Sequence, residues 1–134
     1  MTKVDQPFLL DTSVVIDLKG LDLGEYAMGK PTVSAVTIGE LASGLDTPDP
    51  IARIARSEVF FESLSNFEIF PFGISEARAY GTLSAMVRAA GRNPRPHRLD
   101  LQIAATAVSR SLPLLTRNPI DLRGLEPVVE IIAL

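Results

Sequence analysis

Short apolar runs alternate with stretches of helical period along this chain, and no tight hairpin turn joins one run to the next. Antiparallel neighbours need only a few turn residues, whereas parallel strands need a crossover, usually a helix. The pattern therefore predicts an α/β fold: a mostly parallel sheet of about five strands, covered on both faces in a three-layer α/β/α arrangement. The runs are FLL at 8–10, PTVSA at 31–35, FEIFPF at 67–72, LPLLT at 112–116 and VVEII at 128–132. After the first run, Thr12 or Ser13 can cap a short helix reaching about Lys19, where GLDLG breaks it. Helical spacing then covers 37–45, 50–64, 74–90 and 100–111, and GRNPRPHR at 91–98 reads as a loop.

With 134 residues, 46% of them apolar, the chain is expected to form a single domain over 1–134 with a real core. It contains no cysteine, which excludes disulfides, thiolate metal sites and a cysteine nucleophile. The start, MTKVDQPF, lacks the apolar stretch of a signal peptide, and no run is long enough to cross a bilayer. A cytoplasmic protein without membrane contact is the expectation. A net charge of −3 is unpromising for a nucleic-acid partner, but its distribution is uneven. Most acids precede Phe72, whereas Arg78, Arg88, Arg92, Arg95 and Arg98 crowd the middle of the chain. Such a cluster can hold phosphates through its local field; a solvated helix face and loop is the plainer alternative.

In open parallel sheets, working residues gather outside the carboxyl ends of the strands. Asp11 stands at the end of the first apolar run, with Thr12 and Ser13 directly behind it. A carboxylate between two apolar segments needs water, a partner or a metal, because isolated burial is very costly. Asp11 is therefore a local cap or part of a site. LPLLT runs into RNPID, which places Thr116, Asn118 and Asp121 at the end of another strand. Glu40 lies in a helix among Val36, Thr37, Ser43 and Gly44, a face with room beside the carboxylate, though a solvated glutamate has the same pattern. Asp100 opens a helix at the edge of the core, as an N-cap or as a metal ligand. Together these carboxylates make a hard, oxygen-rich site suited to Mg²⁺ or Mn²⁺, whose charge would relieve their repulsion.

LLDTSVVID with Asp11, SAVTIGELASG with Glu40, LDLQIAATA with Asp100, and LLTRNPIDL with Thr116, Asn118 and Asp121 resemble the successive motifs of PIN-domain ribonucleases. Their order and spacing are most similar to VapC-type toxins of bacterial type II toxin–antitoxin pairs. The resemblance implies a PIN-like fold and a Mg²⁺- or Mn²⁺-dependent endoribonuclease. Asp11, Glu40 and Asp100 would be metal ligands, supported by the hydroxyls of Thr12 or Ser13 and by Thr116. Either Asp121 or Asn118 would complete the set. Arg92, Arg95 and Arg98 would hold RNA beside the scissile phosphate, and His97, the single histidine, would be exposed or contact RNA.

The same resemblance implies a symmetric homodimer and a VapB-type antitoxin whose C-terminal segment lies in an apolar groove and aims a basic side chain at the acids. Operator DNA would be reached only through that antitoxin. The helices over 50–64 and 74–90 carry Val59, Phe60, Phe61, Leu64, Leu83, Met86 and Val87. That is more apolar bulk than one small sheet readily covers, unless all of it packs on the sheet. Two other classes fit less well. A phosphatase of the haloacid dehalogenase type needs a second acid two residues after the first, where Ser13 stands. A dinucleotide-binding or non-catalytic α/β module would suit the fold, but no glycine-rich turn follows FLLD.

Overall fold

The structure, a computed structural model, describes residues 3–134. Its strands are β1 (Pro7–Leu10), β2 (Lys30–Ser34), β3 (Glu68–Phe70), β4 (Leu114–Thr116) and β5 (Ile131–Ala133). They form one sheet in the order β3-β2-β1-β4-β5, and every neighbouring pair is parallel. The helices are α1 (Thr12–Val15), α2 (Ala35–Ser43), α3 (Pro50–Asn66), α4 (Ile74–Ala89) and α5 (Arg98–Arg110).

The central strands are continuous apolar runs because both of their faces are covered. Phe8 and Leu10 of β1 join Val14, Val15, Val33, Leu41 and Leu115 in one cluster, against α1, α2 and α3. Leu9, between them in sequence, points the other way and packs with Leu114, Leu83, Leu101 and Ala104 beneath α4 and α5. Leu114 and Leu115 of β4 divide between the same two clusters. Helices therefore cover both faces, as the three-layer expectation requires.

Several boundaries differ from the sequence pattern for local reasons. Helix α1 is only one turn long, since Val14, Val15 and Ile16 are successive β-branched residues, and a separate 3₁₀ turn, Leu18–Gly20, follows. Helix α2 starts at Ala35 rather than Thr37, because the Ser34 hydroxyl accepts the Val36 amide at 3.0 Å and caps it directly at the strand end. The 91–98 loop contains a 3₁₀ turn, Arg95–His97, and α5 begins at Arg98 rather than Asp100. Val129 belongs to the turn before β5, where its amide donates to the Leu125 carbonyl at 2.9 Å.

The apolar excess of the two long helices separates. Leu83 and Val87 of α4 are buried and Met86 packs beside them, whereas Phe61 and Leu64 of α3 are exposed together with Ile51 and Ile54.

Two glycine substitutions test the packing. A Cβ at Gly29 would lie 2.6 Å from the Gln6 carbonyl oxygen and 2.7 Å from the Phe8 ring, whereas one at Gly81 of α4 meets nothing within 4 Å. Gly29→Ala should lose about 1–3 kcal/mol through overpacking at the start of β2. Gly81→Ala should gain roughly 0.5–1 kcal/mol from helix propensity. Urea denaturation of both variants measures the contrast; equal shifts would contradict this packing.

Candidate metal centre

The chain runs from β1 to β2 and β3 on one side of the sheet, then returns to β4 and β5 on the other. The crevice between the carboxyl ends of β1 and β4 is thus the point where strand order reverses. Asp11 sits there, buried, and its backbone is fixed from both sides. Its amide donates to the Leu115 carbonyl at 2.9 Å, and its carbonyl accepts the Val14 and Val15 amides that open α1. Although Asp11 occupies the N-cap position of α1, its side chain caps no amide. The hydroxyls of Ser13 and Thr116 instead both donate to Oδ2, at 2.7 and 2.8 Å. Oδ1 accepts no hydrogen bond from the described residues, so it remains available to another ligand.

These hydroxyls are held in turn. The Arg117 amide donates to Ser13 Oγ at 3.2 Å, and the Asn118 amide donates to Thr116 Oγ1 at 3.0 Å. The turn after β4 is thereby tied to the carboxylate after β1. Thr12 serves the neighbouring acid: its hydroxyl donates to Glu40 Oε1 at 2.8 Å and lies 3.0 Å from the Thr37 hydroxyl. Adjacent hydroxyl residues therefore orient two different carboxylates. Ser13, which stands where a phosphatase would need its second acid, is engaged in holding the first.

Asp100 lies in the first turn of α5, two residues after Arg98, so it is not the N-cap. Its carboxyl is pushed up to about 6. Burial is the largest cause, followed by the negative charges of Asp11, Asp121 and Glu40, while His97 pulls the other way. All the predicted carboxylates thus act on one point. In the fourth motif, Asn118 is exposed, and its carbonyl accepts the Asp121 amide at 3.1 Å in the 3₁₀ turn Pro119–Leu122. That turn returns Asp121 to the crevice. A carboxylate oxygen of Asp121, one of Asp100 and a ring nitrogen of His97 all lie within 4.8 Å of one another.

The three arginines differ in their engagements. Arg92 donates to the Arg123 carbonyl at 2.8 Å and to the Asp121 carbonyl at 3.5 Å, clamping the turn that carries Asp121. Arg98 reaches the Arg95 carbonyl at 3.3 Å. Arg95 is exposed, and its guanidinium makes no hydrogen bond among the described residues. Charge clustering in the sequence groups these residues but carries no sign of the carbonyls around Arg92. Thr37, read from the sequence only as a small neighbour of Glu40, is the other contributor, through its hydroxyl beside that of Thr12; its i, i+3 spacing from Glu40 is the available signal.

The fold and site define an α/β/α domain with an acidic, hydroxyl-lined crevice at the switch point of a parallel sheet, an arrangement of oxygen donors that could hold a hard cation. The profile of the PIN domain family matches residues 8–123. Ribonuclease VapC4 of Mycobacterium tuberculosis (strain ATCC 25618 / H37Rv) is 35% identical over 114 residues, covering 82% of this chain and 85% of its own. Ribonuclease VapC5 of the same strain is 32% identical over 112 residues, 82% of each chain. A crystal structure of VapBC-5 from M. tuberculosis, a member of the VapBC family of toxin–antitoxin systems, is similar with a TM-score of 0.77 and 30% identity, over 96% of this chain and 97% of that one. The chain belongs to the PIN-domain family, as a VapC-type member.

The Asp100 environment predicts a pH dependence for the metal-free protein. Its carboxyl titrates at about 6 when folded against 3.8 as a free side chain, so the folded state binds the proton more tightly. This favourable contribution is complete below the unfolded value and is lost as pH rises through the folded one. Asp100→Asn, free of that loss, should be more stable than the native chain at pH 7.5 by on the order of 1 kcal/mol, discounted for solvent screening of a part-exposed carboxyl. The advantage should shrink toward pH 4, as denaturation in EDTA at several pH values will measure; a gap independent of pH would count against the repulsion.

Proposed function

We propose that the chain is a divalent-metal-dependent endoribonuclease that acts as the toxin of a cytoplasmic toxin–antitoxin pair. The carrying observation is the gathering of acids in one crevice: Asp100 and Asp121 offer oxygens within 4.8 Å of each other, Asp11 and Glu40 are oriented beside them by adjacent hydroxyls, and the negative charges of Asp11, Asp121 and Glu40 add to burial in raising the Asp100 carboxyl. The donor set fits a divalent cation: the four acids offer carboxylate oxygen, and Asp11 Oδ1 accepts no hydrogen bond among the described residues while Oδ2 is held by two hydroxyls. Asp11, Glu40, Asp100 and Asp121 would hold Mg²⁺ or Mn²⁺, with Asp121 rather than exposed Asn118 completing the set. When bound, such an ion lowers the pKa of a coordinated water and offsets charge developing on the phosphate under attack.

The chain's own groups supply orientation. Ser13 and Thr116 fix the Asp11 carboxylate, Thr12 fixes that of Glu40, and Arg92 fixes the turn bearing Asp121. Arg95, in the turn before α5, and Arg98, at its start, are exposed and would bind RNA phosphates next to Asp100.

A groove supports the antitoxin partner. A cavity of about 710 Å³ between α1, its following turn and α3 is lined by Val15, Ile16, Leu21, Val59 and Phe67. It shares Ile16, Ala55 and Val59 with a second cavity of about 370 Å³ that reaches Thr12 and Glu40. An amphipathic segment in this groove would bring a basic side chain to Glu40, inhibiting by charge replacement as well as obstruction. The exposed Ile51, Ile54 and Phe61 of α3 extend the apolar surface available to the antitoxin or to a second copy in a homodimer.

Asp11→Asn, Glu40→Gln and Asp100→Asn should each lower RNA cleavage by about a hundredfold or more, since losing a ligand should exceed the 10–100-fold effect typical of outer-shell partners. Full activity in any one would remove that residue from the mechanism. Asp121→Asn should weaken Mg²⁺ binding more than Asn118→Ala does. Alanine at Arg95 and Arg98 should flatten the salt dependence of RNA binding. Arg92→Ala should act chiefly on metal affinity, through Asp121. In bacteria, expression of the chain alone should slow growth, and a co-expressed adjacent small gene should relieve it; a harmless chain would defeat the toxin reading while leaving the nuclease reading open to assay.

A further inference from the structure

We propose that His97 supplies a nitrogen ligand to the metal held by Asp100 and Asp121, biasing the centre toward Mn²⁺ and softer divalent ions over Mg²⁺. The inference rests on the metal-dependent reading above and adds to it a residue outside the carboxylate set. His97 Nδ1 lies 3.7 Å from Asp100 Oδ2, too far for a hydrogen bond. Neither ring nitrogen is hydrogen-bonded among the described residues. The third vertex is Asp121, and the three donor atoms fall within 4.8 Å of one another. Donors that share an ion at about 2.0–2.2 Å stand roughly 3–4 Å apart, so small side-chain adjustments bring this triangle onto one cation.

The imidazole is also held by a built element. Pro94 precedes the 3₁₀ turn Arg95–His97 and Pro96 lies within it, the His97 amide donates to the Pro94 carbonyl at 3.1 Å, and α5 starts on the next residue. His97 and Asp100 lie three residues apart across the start of that helix, the spacing that brings side chains together. With 35% of its side chain exposed against 38% for Asp100, the ring shares the crevice with the carboxylate. Its chemistry differs from the rest of the site. Carboxylate oxygens suit Mg²⁺, whereas imidazole nitrogen favours borderline transition-metal ions.

Electron spin-echo spectroscopy of Mn²⁺ bound to the full chain tests this, with calorimetric titration of Mn²⁺ and Mg²⁺ alongside. The native protein should show a ¹⁴N coupling of directly bound imidazole, absent in His97→Ala and His97→Gln. Both variants should bind Mn²⁺ about tenfold more weakly and Mg²⁺ within about threefold of the native affinity. Mn²⁺ binding without ¹⁴N coupling, at an affinity unchanged by either substitution, would overturn the role of His97 while leaving the carboxylate centre intact. Failure of the native protein to bind Mn²⁺ or Mg²⁺ at all would overturn both. The spectroscopic readout is taken on the native chain, so misfolding of a variant cannot mask the result.

Discussion

Repulsion among carboxylates at the ends of parallel strands is the constraint around which this molecule is arranged. Asp11 follows β1, Asp121 follows β4 by one turn, Glu40 projects from α2, and Asp100 lies in the first turn of α5. Half-buried and facing the charges of the other three, Asp100 holds its proton to about 6. Such a cluster costs stability unless its members are hydrogen-bonded, partly protonated or joined by a cation. The surrounding sequence supplies the first remedy through hydroxyls: Ser13 and Thr116 on Asp11, and Thr12 on Glu40. The cluster leaves the third remedy, a cation, chemically favoured.

The fold makes that crowding possible. Leu9, Leu10, Leu114 and Leu115 form the paired centre of the sheet and are fully buried, dividing their side chains between two helical layers. With both faces occupied by apolar packing, polar groups collect where the strands end. The β1–β4 crevice is the place where chain direction across the sheet reverses, so it is not closed by a connecting loop. The same core thus stabilises the domain and defines where its acids converge.

Much of this was legible in the sequence because both-face burial writes strands as unbroken apolar runs, and Asp11 interrupts such a run. Glu40 was visible through its small neighbours and Asp100 through its place at the start of a helix. Other features depend on turns whose geometry leaves no periodic trace. The 3₁₀ turn Pro119–Leu122 exposes Asn118 and returns Asp121, a distinction that sequence separation alone does not make. The turn Arg95–His97 brings a single histidine beside Asp100, although a proline-rich loop suggests an exposed ring. Arg92 shares a charge cluster with Arg95 and Arg98, but the carbonyls of residues 121 and 123 engage it. Helix α1 is shorter than its apolar pattern suggests because β-branched side chains resist helical χ1.

The convergence of these acids is tested most directly by ¹³C NMR titration of the Asp100 carboxyl, first in EDTA and then in saturating Mg²⁺. The predicted midpoint is about 6 without metal, lower in Asp11→Asn, and lower again when Mg²⁺ stabilises the charged form. An Asp100 carboxyl that titrates at its free side-chain value of 3.8, unmoved by Asp11→Asn or by saturating Mg²⁺, would contradict it.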